Sequence, residues 1–269
     1  MTVVYNYQVL IEKALKQTKI DPTEIEIYLS HLLGKDRSFI KAFPEYKLNN
    51  EQTLKFKEFI KRRRHHEPLA YILGYKEFCG LNFKIDHRAM VPRPETEELV
   101  RQVTSHVYAL PNRNRTNHWK YDQLKIVDVG TGCGNIAIAL AKAIPFAKIF
   151  AIEKDSGAYE LAKENISDHQ LENEIKLIQG DLLEPLKEEV NFIVANLPYI
   201  PKSRFALLAP EITKWEPRIA LDGGEDGLGL YQILFKQAIT KLKPGGSLFY
   251  EVDGQTYIKQ YHNTSAVLV

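Results

Sequence analysis

The sequence predicts an α/β protein: a doubly wound, mainly parallel sheet preceded by a small N-terminal helical bundle and a β-hairpin linker. Three observations carry that prediction. From Lys125 onward, short apolar runs alternate with helical patterns at the spacing of βαβ units. A glycine-rich turn, Gly130-Thr131-Gly132-Cys133-Gly134, follows the first of these runs directly. The run Ile193-Val194-Ala195 stops abruptly at Asn196-Leu197-Pro198-Tyr199, as a buried parallel strand does at the edge where open α/β sheets place their ligands.

The elements follow in order. Residues 1–72 are expected to form an N-terminal helical substrate-recognition domain, with helices from about Asn6 to Glu67. Asp21-Pro22-Thr23-Glu24 supplies an N-cap, a proline at the first helical position and a Glu placed for a capping box. Ile25, Tyr28, Leu29, Leu32 and Leu33 follow at helical spacing, and Gly34 ends the helix. A further helix starts near Asn50, carries Leu54, Phe56, Phe59 and Ile60, and runs into Lys61-Arg62-Arg63-Arg64-His65-His66. That basic run reads first as a solvated helix end, where cations suit the helix dipole, and second as a phosphate contact. Residues 73–92 read as the hairpin linker, with strands at 77–80 and 81–85. Residues 93–269 form the sheet domain. Its Val91-Pro92-Arg93-Pro94-Glu95-Thr96-Glu97 entry leads into a helix through Val107, and Arg93 is expected to sit in a structural ion pair. A surface loop is expected from Leu110 to Asp122. Strands are expected at Lys125–Val129, 147–152, 175–178, 193–195 and 246–252, with helices over 135–143, around 161–166 and over 230–242. After Gln255 no closing helix and strand pair is legible, only a short tail.

Totals set bounds. The 269 residues can bury a full core, and 44% hydrophobic and 26% charged residues are ordinary for a globular protein. A net charge of +2 points neither toward nor away from nucleic acid. Two separated cysteines, Cys79 and Cys133, offer neither a disulfide framework nor metal-ligand spacing, so no metal is expected. With no charged-then-apolar leader and no bilayer-length apolar run, a cytoplasmic protein with no membrane partner is expected.

The chemistry centres on Asn196. Its side-chain oxygen and the carbonyl of Leu197, held extended by Pro198, make a pair of acceptors, and Tyr199 offers a flat face. Together they could grip a planar group bearing an NH2, either a carboxamide or the amino group of a base. The glycine turn lets a ligand approach the main chain. It lacks the spacing of a dinucleotide fingerprint and the lysine of a P-loop, and no basic residue in it could meet a pyrophosphate. A cofactor with a cationic sulfonium and an amino-acid tail near Asp128 fits better. Glu153, ending the second strand, is placed for two ribose hydroxyls, and Asp181, ending the third, for an adenine amino group.

These motifs resemble those of class I S-adenosylmethionine-dependent methyltransferases that modify planar NH2 groups. The combination of Arg62-Arg63-Arg64, Glu67 to Gly74, Glu77-Phe78, Val91 to Glu97 and Glu216-Pro217 to Gly227 is narrower, and resembles the peptide chain release factor glutamine N5-methyltransferases, the PrmC/HemK family. The resemblance runs from the N-terminal helices to about Gln255. It implies a Rossmann-like class I methyltransferase domain and methyl transfer from S-adenosyl-L-methionine to the glutamine of a Gly-Gly-Gln loop in release factors. It implies catalytic roles for Asn196, Leu197, Pro198 and Tyr199. Cofactor contacts would come from Asp128, Gly130, Thr131, Gly132, Cys133, Gly134, Glu153, Asp181, Leu182 and Asn196. A monomer that does not require nucleic acid is expected. The chain departs from the family pattern in carrying Leu197 where proline is usual, and in its C-terminus. The alternatives are an N6-adenine methyltransferase acting on DNA or RNA, favoured by Leu197 and the basic run, and a binding module that has lost catalysis. A nicotinamide dehydrogenase is disfavoured by the glycine spacing.

Overall fold

The chain divides into two units in the computed structural model, which describes residues 10–16, 19–110 and 124–261. One unit holds the residues up to Gly74 together with Ala209–Trp215; the other holds Tyr75–Leu208 and the residues from Glu216 onward. The expected helical residues 6–9, most of the expected loop after Leu110, and the tail from residue 262 lie outside the described residues.

The first unit is helical: α1 (Ile11–Lys16), α2 (Pro22–Leu33), α3 (Arg37–Ala42), α4 (Asn50–Arg64) and α5 (Leu69–Leu73), joined by the helix Pro210–Trp215, which is α9 in chain order. Helix α2 starts on Asp21, whose carboxylate accepts the Thr23 N–H at 2.7 Å, and ends on Gly34 in the left-handed region at φ 61°. The expected capping box is replaced: Glu24 reaches across to the Arg63 guanidinium, bonding it at 2.8 and 2.9 Å. A reciprocal capping box does open α4, between Asn49 and Gln52. Its inward residues are Thr53, Phe56 and Phe59, whereas Leu54 is 68% exposed, one position off the buried stripe. Tyr28 stacks on Phe59 with ring centroids 4.0 Å apart in a core that includes Ile25, Leu29, Ile40 and Leu48.

The second unit opens with the antiparallel hairpin β1 (Tyr75–Phe78) and β2 (Leu81–Lys84). Cys79 and Gly80 both take positive φ, 51° and 72°, as a two-residue hairpin turn requires. Then follow α6 (Thr96–Ala109), β3 (Lys125–Val129), α7 (Asn135–Ala143), β4 (Lys148–Glu153), α8 (Ser156–Asp168), β5 (Ile175–Gln179), β6 (Val190–Ala195), α10 (Gly229–Lys241), β7 (Leu242–Val252) and β8 (Gln255–Gln260). The sheet order is β5-β4-β3-β6-β7-β8, parallel except for β8. Although no closing strand is legible in the sequence after Gln255, residues 255–260 form one, pairing antiparallel with β7.

Both faces of the sheet are covered. On one, Ile126, Phe192 and Val194 pack with residues of α6, α7 and α8; on the other, Val127, Val129, Ile193 and Ala195 pack with Tyr231, Leu234 and Ala238 of α10. That double covering is why β6 is buried at all six positions and, apart from Asn191, reads as an apolar run. Strand order reverses between β3 and β6, so a crevice opens at their carboxyl ends.

Candidate functional site

A cavity of about 690 Å³ opens at that switch point. The turn after β3 forms one wall. Gly130 and Gly132 adopt φ 71° and 58°, where a side chain is strained, and the N–H groups of Gly130 and Thr131 both bond to Ile152 O, at 2.9 and 3.0 Å. Gly130, Thr131, Gly132 and Cys133 line the cavity. Gly134 does not; it precedes α7, and a Cβ there would stand 3.5 Å from Ala162 of α8, so it serves close packing.

Asp128 lies beneath the turn, not on the cavity wall. It shares the Ile126 side of β3, the side covered by α7, because side chains alternate along a strand. There its Oδ2 accepts from Thr131 Oγ1 at 2.5 Å and from the Ala137 N–H at 3.1 Å, while Oδ1 is buried with no hydrogen-bond partner among the described residues. Burial, against the two donors and aided by nearby Glu153, pushes its carboxyl up to about 7. The Cys133 thiol, also buried, is pushed up to about 12.

Glu153 does line the cavity. Its Oε2 accepts the Gly132 N–H at 2.8 Å and its Oε1 accepts the Lys154 and Asp155 N–H groups, both at 2.9 Å, so this acid clamps the glycine turn. Burial raises its pKa and the three backbone donors oppose the rise. Asp181 and Leu182 border the same cavity, Asp181 paired with Lys154 Nζ at 2.6 Å and Leu182 at φ 46°.

Asn196, Leu197 and Pro198 form the facing wall. The Asn196 amide nitrogen donates to Thr96 Oγ1 at 3.0 Å. The Leu197 N–H donates to Tyr231 Oη at 2.9 Å, and that hydroxyl donates to Glu251 O at 2.5 Å. Tyr199 is not a cavity residue. Its partly buried ring has Glu251, Asp253, Arg93 and Glu95 for charged neighbours, and burial is the main reason its pKa is raised. Arg93 bonds Glu216 at 2.5 Å, the structural ion pair that the sequence led us to expect.

Three supporting residues escape a reading of the sequence: Thr96, Tyr231 and Glu251. Each lies far in sequence from the group it holds. The available signal is Glu251 itself, a charge inside the apolar run Leu248-Phe249-Tyr250-Glu251-Val252. Asn165 is a fourth such residue, its amide bonding Lys84 and Cys133 and so tying the hairpin to the glycine turn.

The chain matches the family model described as PrmC N-terminal domain over residues 9–74 and that described as Methyltransferase small domain over residues 114–211. It is 37% identical to a release factor glutamine methyltransferase of Geobacter sulfurreducens, over 90% of this chain and 80% of that one. It is 35% identical to the protein of the same description from Clostridium botulinum, over 96% and 88% of the two chains. Among solved structures, the hMettl16 catalytic domain in complex with MAT2A 3'UTR hairpin 1 shares the fold, with a TM-score of 0.50 at 14% identity over 75% of this chain and 66% of that one. The parallel-sheet unit, with its glycine turn and Asn196 edge, is thus a methyltransferase domain. The chain as a whole belongs to the release factor glutamine methyltransferase family.

Proposed function

We propose that this chain transfers a methyl group from S-adenosyl-L-methionine to the side-chain amide nitrogen (N5) of the glutamine in the Gly-Gly-Gln motif of peptide chain release factors. The observation that carries the reading is at Asn196. Its amide nitrogen is engaged by Thr96, which leaves Oδ1 as the hydrogen-bonding end available to a ligand in the cavity.

The cavity suits the cofactor. A Cβ on Gly132 would meet nothing within 4 Å, so the turn is open to close approach by a ligand. Glu153 and Asp181 retain lone pairs for ribose hydroxyls and an adenine amino group. Among the described residues, the four cations that line the cavity are each paired with carboxylates: Arg88 with Asp86 and Glu164, Arg93 with Glu216, Lys154 with Asp181, and Arg218 with Asp222. That pairing argues against a phosphate-rich ligand. Bound there, S-adenosyl-L-methionine supplies an electrophilic methyl on a sulfonium. Asp128 acts on the turn from below, and Gly134 on helix packing.

A carboxamide nitrogen is a poor nucleophile because its lone pair is delocalised, so the protein's task is to hold it. Asn196 Oδ1 and the Leu197 carbonyl accept one N–H each from the substrate amide. The Leu197 carbonyl keeps that capacity because the single Tyr231 hydroxyl hydrogen goes to Glu251 O, with Leu197 O farther off at 3.4 Å. Positioning of this kind is worth on the order of 7–11 kcal/mol when the geometry is right. No general base is needed before attack, since the proton becomes acidic only once the nitrogen is alkylated. Tyr199 supports this edge from its flank. The helical unit recognises the release factor, and the enzyme acts as a cytoplasmic monomer without nucleic acid. Among the described residues no helix is long and apolar enough to cross a membrane.

Incubation of a purified bacterial-type release factor with the chain and labelled cofactor tests this. Mass spectrometry is expected to map one added methyl to the Gly-Gly-Gln glutamine. Label appearing in an adenine-containing oligonucleotide, with the release factor unmodified, would overturn the reading in favour of a base methyltransferase.

A further inference from the structure

Three side chains from separate elements meet beside the cavity. Thr96 opens α6, Asn196 follows β6, and Glu251 lies near the end of β7. Thr96 and Glu251 are each only 2% exposed. The Thr96 hydroxyl oxygen accepts from the Asn196 amide nitrogen at 3.0 Å, which leaves its hydrogen for a further acceptor. The Glu251 carboxyl lies within hydrogen-bonding reach of both Thr96 and Asn196; burial, aided by Glu95, raises its pKa, and the hydrogen bonds from Thr96 and Asn196 oppose that rise. Its Oε2 is buried with no hydrogen-bond partner among the described residues.

An ionised carboxylate only accepts hydrogen bonds, whereas a hydroxyl can do both and an amide has one end of each kind. In its ionised form Glu251 sets a direction: it draws the Thr96 hydrogen, so Thr96 accepts from Asn196 and the Asn196 NH2 faces inward. We propose that Thr96 and Glu251 are positioning residues that fix the orientation of the Asn196 amide and thereby restrict the site to substrates presenting an NH2. The inference rests on the reading of Asn196 as the acceptor for the substrate amide. With the amide reversed, its NH2 would confront the substrate's NH2, two donors without an acceptor, and the substrate nitrogen would be pushed out of line. Reversal would also set Asn196 Oδ1 against the Glu251 carboxylate, two acceptors without a donor. Thr96 borders the cavity and Glu251 does not, and both act through Asn196.

The test uses Thr96→Val, which keeps the shape and removes the hydroxyl, with Thr96→Ser to restore it and Glu251→Gln to remove the fixed direction. Thr96→Val is expected to lower kcat on the order of 100-fold, with cofactor Kd and thermal midpoint close to the parent's, because misplacement of a reacting group by about 1 Å is that costly. Thr96→Ser is expected to recover most of the turnover, and Glu251→Gln to fall between. Thr96→Val or Glu251→Gln turning over at the parent's rate would overturn the proposal. A second readout needs no turnover: in ¹⁵N-labelled protein, the Asn196 side-chain NH2 is expected to exchange slowly in the parent and Thr96→Ser and quickly in Thr96→Val. Should the parent fail to methylate any release factor, the proposed function falls, and the exchange measurement alone judges this inference: equal exchange in all three proteins would sink it.

Discussion

Leu197 donates its backbone N–H to the hydroxyl of Tyr231 at 2.9 Å, and Tyr231 is itself buried against β7. The family pattern that the sequence resembles would place a proline here, and proline carries no N–H. In this chain the position is built around the donor. The Leu197 side chain, 3% exposed, also packs toward the glycine turn, where a Cβ on Gly130 would stand 2.8 Å from Leu197 Cδ2. Leu197→Pro is therefore expected to destabilise the protein by roughly 1–3 kcal/mol, the usual cost of stranding a buried polar group. Urea unfolding measures this; a midpoint equal to the parent's would show that the Tyr231 bond contributes nothing.

Asn196→Ala removes both the substrate acceptor and the donor to Thr96. Turnover is expected to fall below about 1% of the parent's, in line with the weight that positioning carries. Cofactor affinity by calorimetry should stay within a few fold, since the glycine turn, Glu153 and Asp181 are untouched. A mutant that retains most of its turnover excludes the assignment.

What could be read from the sequence follows from what a buried parallel strand demands. With both faces covered, β3, β4 and β6 are mostly apolar until they reach the crevice, Asp128 and Asn191 being the buried polar exceptions, so their ends are visible as abrupt changes in polarity at Gly130, Glu153 and Asn196. Asp128 resisted that reading because polarity alone does not say which face a residue takes. Its neighbours Val127 and Val129 pack under α10, so it turns toward α7 and meets the Ala137 N–H. Thr96, Tyr231 and Glu251 were hidden for another reason. Their partners lie tens of residues away, and no local period encodes a hydrogen bond of that range. Strand β8 was missed because its outer residues are mostly exposed and so show no alternation.

Gly227 takes φ 80°, and a Cβ there would stand 2.3 Å from the carbonyl oxygen of Tyr199. The chain from Leu221 to Gly224, of which Asp222, Gly223 and Gly224 line the cavity, is zipped to this same stretch by Ile200 N to Leu221 O, Gly223 N to Ile200 O and Lys202 N to Gly224 O. Gly227→Ala is expected to cost at least about 2 kcal/mol, from backbone strain and overpacking together, and to weaken cofactor binding as the wall separates. Gly224→Ala is the control. It shares a positive φ of 90° but has nothing within 4 Å of the added carbon, so only the strain of about 1 kcal/mol applies. Equal losses in the two variants would mean that the contact with Tyr199 is irrelevant.

The buried carboxyl of Asp128 ties stability to pH. Its value is about 7 in the folded protein against 3.8 ordinarily, so between those limits the folded chain binds more protons than the unfolded one. The contribution of Asp128 to stability is then fully present below about pH 4 and is lost as pH rises through 7, a span on the order of a few kcal/mol. Asp128→Asn keeps an oxygen for Thr131 and Ala137 and cannot ionise. The parent's ligand-free stability is expected to fall relative to the variant's from pH 5 to pH 8, with the variant the more stable at the upper end. Thermal midpoints that run parallel across this range would refute an ionising Asp128.

The basic run at the end of α4 divides by burial. Arg63 is 7% exposed in its side chain; it bonds both oxygens of Glu24, Glu211 Oε1 at 2.7 Å and Glu67 O at 2.5 Å. Arg62 forks onto Glu67, while Lys61 stays 69% exposed. One guanidinium therefore links α2, α4 and the inserted segment Ala209–Trp215 within the helical unit, which also bonds Trp215 Nε1 to His65 O at 3.0 Å. Removing it strands two carboxylates, but both are partly exposed, so Arg63→Met is expected to cost about 2–3 kcal/mol, below the range for a fully buried pair. Lys61→Ala is expected to stay within about 0.5 kcal/mol, as exposed substitutions do. Hydrogen exchange distinguishes a local from a global effect: amides of 209–215 should lose protection in Arg63→Met and keep it in Lys61→Ala. Unchanged protection at 209–215 in Arg63→Met would show that the segment is held by Trp215 and its neighbours, and that the arginine is dispensable to it.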